Sequence, residues 1–227
     1  MAGQRIENEI KLFSLDGPFA YDGDDPASRF QFLCSILATE GFTLRAQSQE
    51  RFTDLYYTDT EGVFDRDRML LRFRTLGDRA YVTMKMPTLG EGMGLSRREI
   101  EEERFNDSRF DKWKVVQDFA REVYGPVTIR DTPCLRDDII RCSVRMSSKV
   151  RSYSFTFDKV VYTDPGSGVR SLPCYELEIE CLDQSIQDDR SIMSVVRTLT
   201  EDYGFEEERV SKYARGMAYV RSLARRS

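Results

Sequence analysis

Along most of the chain apolar and polar residues alternate one by one, the period of β-strands, and in three places the spacing lengthens to that of helices. The alternation predicts strands over residues 6–12, 42–52, 54–59, 68–75, 80–87, 96–105, 139–146, 149–162 and 174–182. Breaks between them fall at Glu61-Gly62, Gly77-Asp78, the cluster Gly90, Gly92 and Gly94, and Asp164-Pro165-Gly166. A helix is predicted over 26–40, where Phe30, Leu33, Cys34 and Leu37 form an apolar stripe and Gly41 a stop. A second spans 107–124, with Phe110, Trp113, Val116 and Val123 ahead of Gly125. The stretch 191–224 reads as helical with an interruption at Gly204, and Met193, Val196, Leu199 and Tyr203 as its core contacts. Many antiparallel strands with helices at the breaks predict an α+β protein built on a closed or strongly curved sheet. Nothing resembling a linker divides the chain, so residues 1–227 are expected to form one domain, with the helices after about residue 184 belonging to it.

The polar members of the alternation carry the chemistry. Glu7, Glu9 and Lys11 share one face of the first strand, opposite Ile6, Ile10 and Leu12. Arg72 and Arg74 alternate with Leu71 and Phe73, and Thr83 and Lys85 with Val82 and Met84. Arg97, Glu99, Glu101 and Glu103 share a face, Arg141 and Arg145 flank Ser143, and Glu176, Glu178 and Glu180 alternate with Leu177 and Ile179. One such strand is an ordinary half-exposed strand. Several in succession, with helices covering the apolar parity, turn the charged parity into the lining of a barrel. Buried charges are costly unless paired or ligand-bound, so the lining implies a charged guest. Guanidinium forks suit phosphate oxygens, and clustered carboxylates suit a hard cation, so the two signs together describe a metal–polyphosphate site. The alternative that these residues leave open is a lattice of internal ion pairs without a ligand.

Composition narrows this further. The chain has 34 Lys and Arg beside 39 Asp and Glu and a net charge of −5, which argues against a general DNA or RNA binder. It has no histidine, which removes Ser-His and Cys-His catalysis and imidazole metal ligands. Any metal is then held by oxygen, as Mg2+ or Mn2+ would be. The five cysteines are odd in number and form no C-x-x-C pair, as expected of reduced thiols in a cytoplasmic protein. No apolar run approaches the roughly 20 residues of a membrane span, and no membrane association is expected.

Glu7-x-Glu9-x-Lys11 resembles the E-x-E-x-K signature of the CYTH superfamily, the triphosphate tunnel metalloenzymes. Further similarities follow in family order: Asp54 to Asp59, Leu71-Arg72-Phe73-Arg74, Val82-Thr83-Met84-Lys85, Arg97-Arg98-Glu99-Ile100-Glu101, Phe157-Asp158-Lys159-Val160, and Tyr175 to Glu180. Ser211-Lys212-Tyr213 resembles a motif on the family's C-terminal helix. The resemblance implies an eight-stranded antiparallel barrel with helices outside, which binds a triphosphate and hydrolyses it with Mg2+ or Mn2+. By position it implies metal ligation by Glu7 and Glu9 with residues among Glu176, Glu178, Glu180 and Asp158. It implies phosphate binding by Lys11, Arg72, Arg74, Lys85, Arg97, Arg141, Arg145 and Lys212, and a water-orienting or second-metal role for Glu99 and Glu101. Glu7, Glu9, Lys11, Lys85, Glu99 and Glu101 are thus the implied catalytic set. The segment before Asp158 aligns loosely, so Lys149 and Arg151 compete with Arg141 and Arg145, and parity favours the latter two. Inorganic triphosphate is the expected substrate. Thiamine triphosphate hydrolysis, class IV adenylate cyclase activity and a non-catalytic polyphosphate- or nucleotide-binding module are the alternatives. Oligomeric state and the role of segment 16–25 are not legible.

Overall fold

The structure is a computed structural model that describes residues 3–7, 9–14, 26–87, 97–105, 111–148, 151–181, 190–208 and 210–224. The segment 16–25 and the glycine cluster at 90–94 lie outside the described residues, as do the side chains of Glu7, Glu9 and Arg97. Among the described residues, ten strands and five helices run in the order β1 (Gly3–Glu7), β2 (Glu9–Ser14), α1 (Pro26–Thr39), β3 (Thr43–Tyr57), α2 (Val63–Arg66), β4 (Leu70–Leu76), β5 (Arg79–Pro87), β6 (Arg97–Phe105), α3 (Lys112–Val123), β7 (Leu135–Ser147), β8 (Ser152–Thr163), β9 (Cys174–Cys181), α4 (Arg190–Glu201), β10 (Glu206–Glu207) and α5 (Lys212–Ala224).

The strands form one antiparallel sheet in the order β1-β6-β5-β4-β3-β7-β8-β9-β2-β10. Its α+β character agrees with the sequence, while the expected eight-stranded closed barrel needs correcting in its details. The N-terminal run is divided into two strands, of which β1 pairs with β6 and β2 with β9, toward opposite ends of the order. Among the described residues the ladder of hydrogen bonds is therefore not closed, although β1 and β2 are neighbours in sequence. The two-residue β10 adds a further strand beside β2. The expected break near Phe52 does not occur: β3 is one 15-residue strand that pairs with β7 along most of its length and with β4 only from Thr53 to Tyr57.

Alternation sorts the side chains onto two faces. On the outer face Val144, Tyr153, Phe155, Leu177 and Ile179 are buried beneath Phe30, Leu33 and Leu37 of α1 and Ile192, Val195 and Leu199 of α4. Further round the sheet, Leu71, Phe73, Val82 and Met84 meet Val116, Phe119 and Ala120 of α3. Helix α3 starts at Asp111, whose carboxylate accepts from the Lys114 backbone N–H at 3.1 Å, an N-cap that satisfies an otherwise orphaned donor. The third apolar cluster shares the parity of the charged residues. Phe52, Tyr56, Leu135, Ile139, Val160 and Tyr162 lie at one end of the inner face, and Tyr213, Met217 and Val220 of α5 cover them. Helix α5 therefore caps one end of the charged face rather than adding to the outer layer.

Candidate active site

Two groups of charges occupy the inner face, and the pleat places them there. On β3 to β6, the register sets Asp54 opposite Arg74, and Arg72 opposite Thr83, which in turn faces Glu101. Arg74 donates to both carboxylate oxygens of the fully buried Asp54, through Nε at 2.7 Å and Nη2 at 2.8 Å. Its guanidinium also lies 4.0 Å from the centre of the Phe52 ring. Arg72 makes longer pairs: 3.6 Å to Asp54, 3.8 Å to Glu99 and 3.4 Å to Glu101. Thr83 Oγ1 donates to Glu101 at 2.8 Å, and Lys85 Nζ lies 3.6 Å from Glu99.

The second group joins β2, β7, β8, β9 and α5. Arg141 forms a bidentate pair with the buried Asp158, at 2.8 and 2.7 Å, and reaches Glu178 at 3.3 Å. Lys11 Nζ donates to Glu178 at 3.1 Å. Lys212, at the first position of α5, reaches Glu178 at 2.7 Å and Asp158 at 3.0 Å, and also pairs with Glu176. Arg215 holds the other oxygen of Glu176 and reaches Glu208 at 2.8 Å.

Protonation follows from these contacts. Burial by itself would raise the pKa values of Asp54, Asp158 and Glu178, but the neighbouring cations outweigh it and hold all three below the usual carboxylate range. Arg74 and Arg72 do so at Asp54, Arg141 and Lys212 at Asp158, and Lys11 and Lys212 at Glu178. Lys212 in turn is raised despite its burial, chiefly by Glu178 and Asp158. Asp137 goes the other way. It is fully buried directly across the β3–β7 ladder from Asp54, and burial followed by the Asp54 charge pushes it well above the usual carboxylate range.

Of the predicted phosphate-binding residues, the structure gathers Lys11, Arg72, Arg74, Lys85, Arg141 and Lys212 onto this face. Arg145 shares their parity but is exposed at the far end of β7, and the side chain of Arg97 lies outside the description. Glu99 and Glu101 stand beside Arg72. The described residues contain no group of three or more carboxylates or thiols arranged to hold a metal. Asp158 and Glu176, both implied as ligands, have Arg141, Lys212 and Arg215 as neighbours. Glu178 has Lys11, Arg141 and Lys212 as neighbours too, so the carboxylates that fit a hard cation by donor chemistry are Glu7 and Glu9, with Glu180 in register with Glu9.

Asp54, Asp137, Arg215 and Glu208 carry part of the electrostatics without having been assigned a role from sequence. Asp54 and Asp137 fall in the same parity as Arg74 and Arg141, and Arg215 lies one helical turn beyond Lys212, so the spacing was available as a signal. A cavity of about 450 Å³ lined by Arg51, Thr53, Asp138, Ile140, Lys159 and Arg170 contains none of the predicted site residues. All five cysteines are free, and no described helix is long and apolar enough to cross a membrane.

The model of the CYTH domain family matches residues 30–216. A search of curated proteins by sequence found no match. Among solved structures, the PH1819 protein from Pyrococcus horikoshii OT3 is 19% identical over 97% of this chain and 99% of its own, with a TM-score of 0.50. A Bacillus halodurans protein described as a candidate adenylate cyclase is 12% identical over 92% of this chain and 96% of its own, also at 0.50. A candidate adenylyl cyclase from Hippeastrum, described as having a dominant triphosphatase activity, is 17% identical over 98% of this chain and 96% of its own, at 0.48. At such identities the likeness speaks to the fold alone.

Proposed function

The chain belongs to the CYTH domain family, and we propose that it is a metal-dependent hydrolase of triphosphates, with inorganic triphosphate cleaved to diphosphate and phosphate. The observation that carries this reading is the convergence of Lys11, Arg72, Arg74, Lys85, Arg141 and Lys212, drawn from several strands and a helix, on one face capped by α5. Internal pairing alone does not account for the arrangement as well. The Arg72 carboxylate pairs at 3.4–3.8 Å are long for charge-assisted bonds and its buried Nε has no partner among the described residues, which leaves that cation poised to exchange carboxylate for phosphate oxygens. A lining of this kind recognises the phosphate chain itself, and Tyr56 and Trp113 are already engaged in the fold, through Tyr213 and the Ile129 carbonyl.

In hydrolysis water attacks the terminal phosphorus, the bridging P–O bond breaks, and diphosphate leaves. Charge in the transition state is spread over the phosphoryl oxygens, so preplaced cations lower its energy without reorganising. Arg72, Lys85 and Lys11 supply those charges, while Asp54 and Asp158 hold Arg74 and Arg141 in fixed directions. Glu101, oriented by Thr83, and Glu99 are placed to position the water. A divalent ion held by Glu7 and Glu9 with Glu180 would supply neutralisation of phosphate charge.

The test is to incubate the protein separately with inorganic triphosphate, ATP and thiamine triphosphate, each with Mg2+, with Mn2+ and with chelator. The expected result is metal-dependent phosphate release, fastest from inorganic triphosphate, and its loss in Glu9→Lys. Cyclic nucleotide plus diphosphate from ATP would replace the hydrolase with a cyclase. Triphosphate binding without turnover would leave a binding module.

A further inference from the structure

Arg215 is placed unlike the other cations of the site. Four of its hydrogen bonds leave one guanidinium for four different groups: Nε to the Tyr162 hydroxyl at 3.3 Å, Nη1 to Glu208 at 2.8 Å and to the Val210 carbonyl at 3.0 Å, and Nη2 to Glu176. Its plane also covers the Phe13 ring at 4.4 Å. A guanidinium has five N–H donors, so this one has little left for a ligand. The groups it joins come from β2, β8, β9, the segment after β10, and α5 itself. That segment is also tied to β2 by the Glu208 backbone N–H, which donates to the Lys11 carbonyl at 2.9 Å.

We infer that Arg215 is a positioning residue, which neutralises Glu176 so that Lys212 remains available to phosphate and which clamps the Lys11-bearing strand against α5. This rests on the triphosphate reading of the site. Glu176 links the two cations. This carboxylate is fully buried and divides its two oxygens between Lys212 and Arg215. Lys212 is shared in turn among Glu176, Asp158 and Glu178. Remove Arg215, and the whole charge of Glu176 falls on Lys212, the cation nearest to it at the head of α5. A lysine held that tightly is a poorer partner for a phosphate oxygen, in the ground state and the transition state alike. Loss of such uniform binding appears in KM and leaves kcat nearly unchanged.

The experiment compares wild type, Arg215→Met, Glu176→Gln and the double variant Arg215→Met/Glu176→Gln. Each is read by steady-state hydrolysis of inorganic triphosphate with Mg2+, by calorimetric titration with the same compound, and by Tm. Methionine keeps the stem over Phe13 while removing the donors. In Arg215→Met, KM is expected to rise about tenfold, the size of one charge-assisted hydrogen bond, with kcat within about twofold of wild type. The double variant is expected to recover most of that loss, because the uncharged amide that replaces the Glu176 carboxylate no longer captures Lys212. A role confined to stability predicts a different pattern, with Tm falling in Arg215→Met and recovering in the double variant while the KM of the folded protein does not move in either. If Arg215→Met does not fold, Arg215→Lys, which reaches one carboxylate but not both, gives the same comparison with and without Glu176→Gln. An unchanged KM in the single variant, or a double variant no better than the single, overturns the inference. Wild-type protein that neither binds nor hydrolyses triphosphate overturns the triphosphate reading first, and this inference with it.

Discussion

Single residues on the inner face are set by competition between burial and neighbouring charge, and the two aspartates that face each other across β3 and β7 show both outcomes. Burial would raise Asp54, but Arg74 and Arg72 lower it; Asp137 is raised by its burial and then by Asp54 across the ladder. The signs of their pH effects are opposite. A carboxyl whose folded pKa is raised is protonated in both states below its unfolded value of 3.8, so it has no effect there. Above that value the unfolded chain releases the proton and the folded one keeps it, and stability falls by about 1.4 kcal/mol per pH unit until the folded pKa is reached. Asp137→Asn has no proton to release. The Tm difference between this variant and wild type should therefore be smallest near pH 3.8 and grow in the variant's favour toward neutrality; a difference constant with pH would refute the assignment. On the acid side, Asp54, Asp158 and Glu178 have lowered values, so their stabilisation is present above the unfolded range of 3.8–4.5 and is lost as pH falls below it. Melting curves below pH 4.5 should show that loss. At this scale the sequence was a good guide to which side chains share a face, because parity is a property of the backbone alone. It was a poor guide to partners, since Asp158 is held both by Arg141 on the adjoining strand and by Lys212 of α5, which lies far away in sequence.

At the level of elements, α5 decides the shape of the site, and Gly216 is what lets it approach. A Cβ built there would clash with one Leu135 methyl and lie 2.8 Å from the Tyr162 ring, both of which are buried. Gly216→Val should therefore push the helix off β7 and β8. Its small gain in helix propensity is outweighed by overpacking, which commonly costs about 1–3 kcal/mol. The expected outcome is a lower Tm together with weaker triphosphate binding, since Lys212 travels with the helix. An unaltered Tm would mean that α5 does not depend on the close approach of Gly216 to Leu135. A second element-level test lies outside the site. Buried Gln117 of α3 donates to the Val127 carbonyl at 2.8 Å and accepts from the Ile129 N–H at 2.9 Å, so Gln117→Leu strands two backbone groups and should cost about 1–3 kcal/mol in chemical denaturation. The helical period of 191–224 showed where the helices would be but not their phase. Met193, expected in the core, is 48% exposed, whereas Ile192 and Val195 are buried beside Leu199. The resemblance placed Lys212 of α5 in the site, but the capping role of the helix was not legible, because Tyr213, Met217 and Val220 pack on residues of the polar parity, and alternation gives no warning that one end of a charged face is apolar.

Taken whole, the molecule places a nearly balanced set of charges on one face, and that balance makes a prediction about ligand order. The cations of the face are already engaged by Asp54, Asp158, Glu99, Glu101, Glu176 and Glu178. A triphosphate arriving alone must displace some of these carboxylates, which then repel it and one another. A divalent ion arriving alone meets cations beside each of these six carboxylates. Together they would exchange partners without leaving either sign in excess: phosphate oxygens would take the cations, and the ion would be held by Glu7 and Glu9 with carboxylates so released. Each should accordingly raise the affinity for the other by the same factor, as linkage requires. The measurement is thermal melting with Mg2+ alone, inorganic triphosphate alone, and both. The pair should raise Tm by more than the sum of the separate shifts, and at roughly a hundredfold excess over Kd the stabilisation should approach about 2.7 kcal/mol. Glu9→Gln should abolish the excess while keeping part of the triphosphate effect. Additive shifts, or a triphosphate shift unaffected by chelator, would mean that the carboxylates serve only to hold the cations in place and that no ion completes the site.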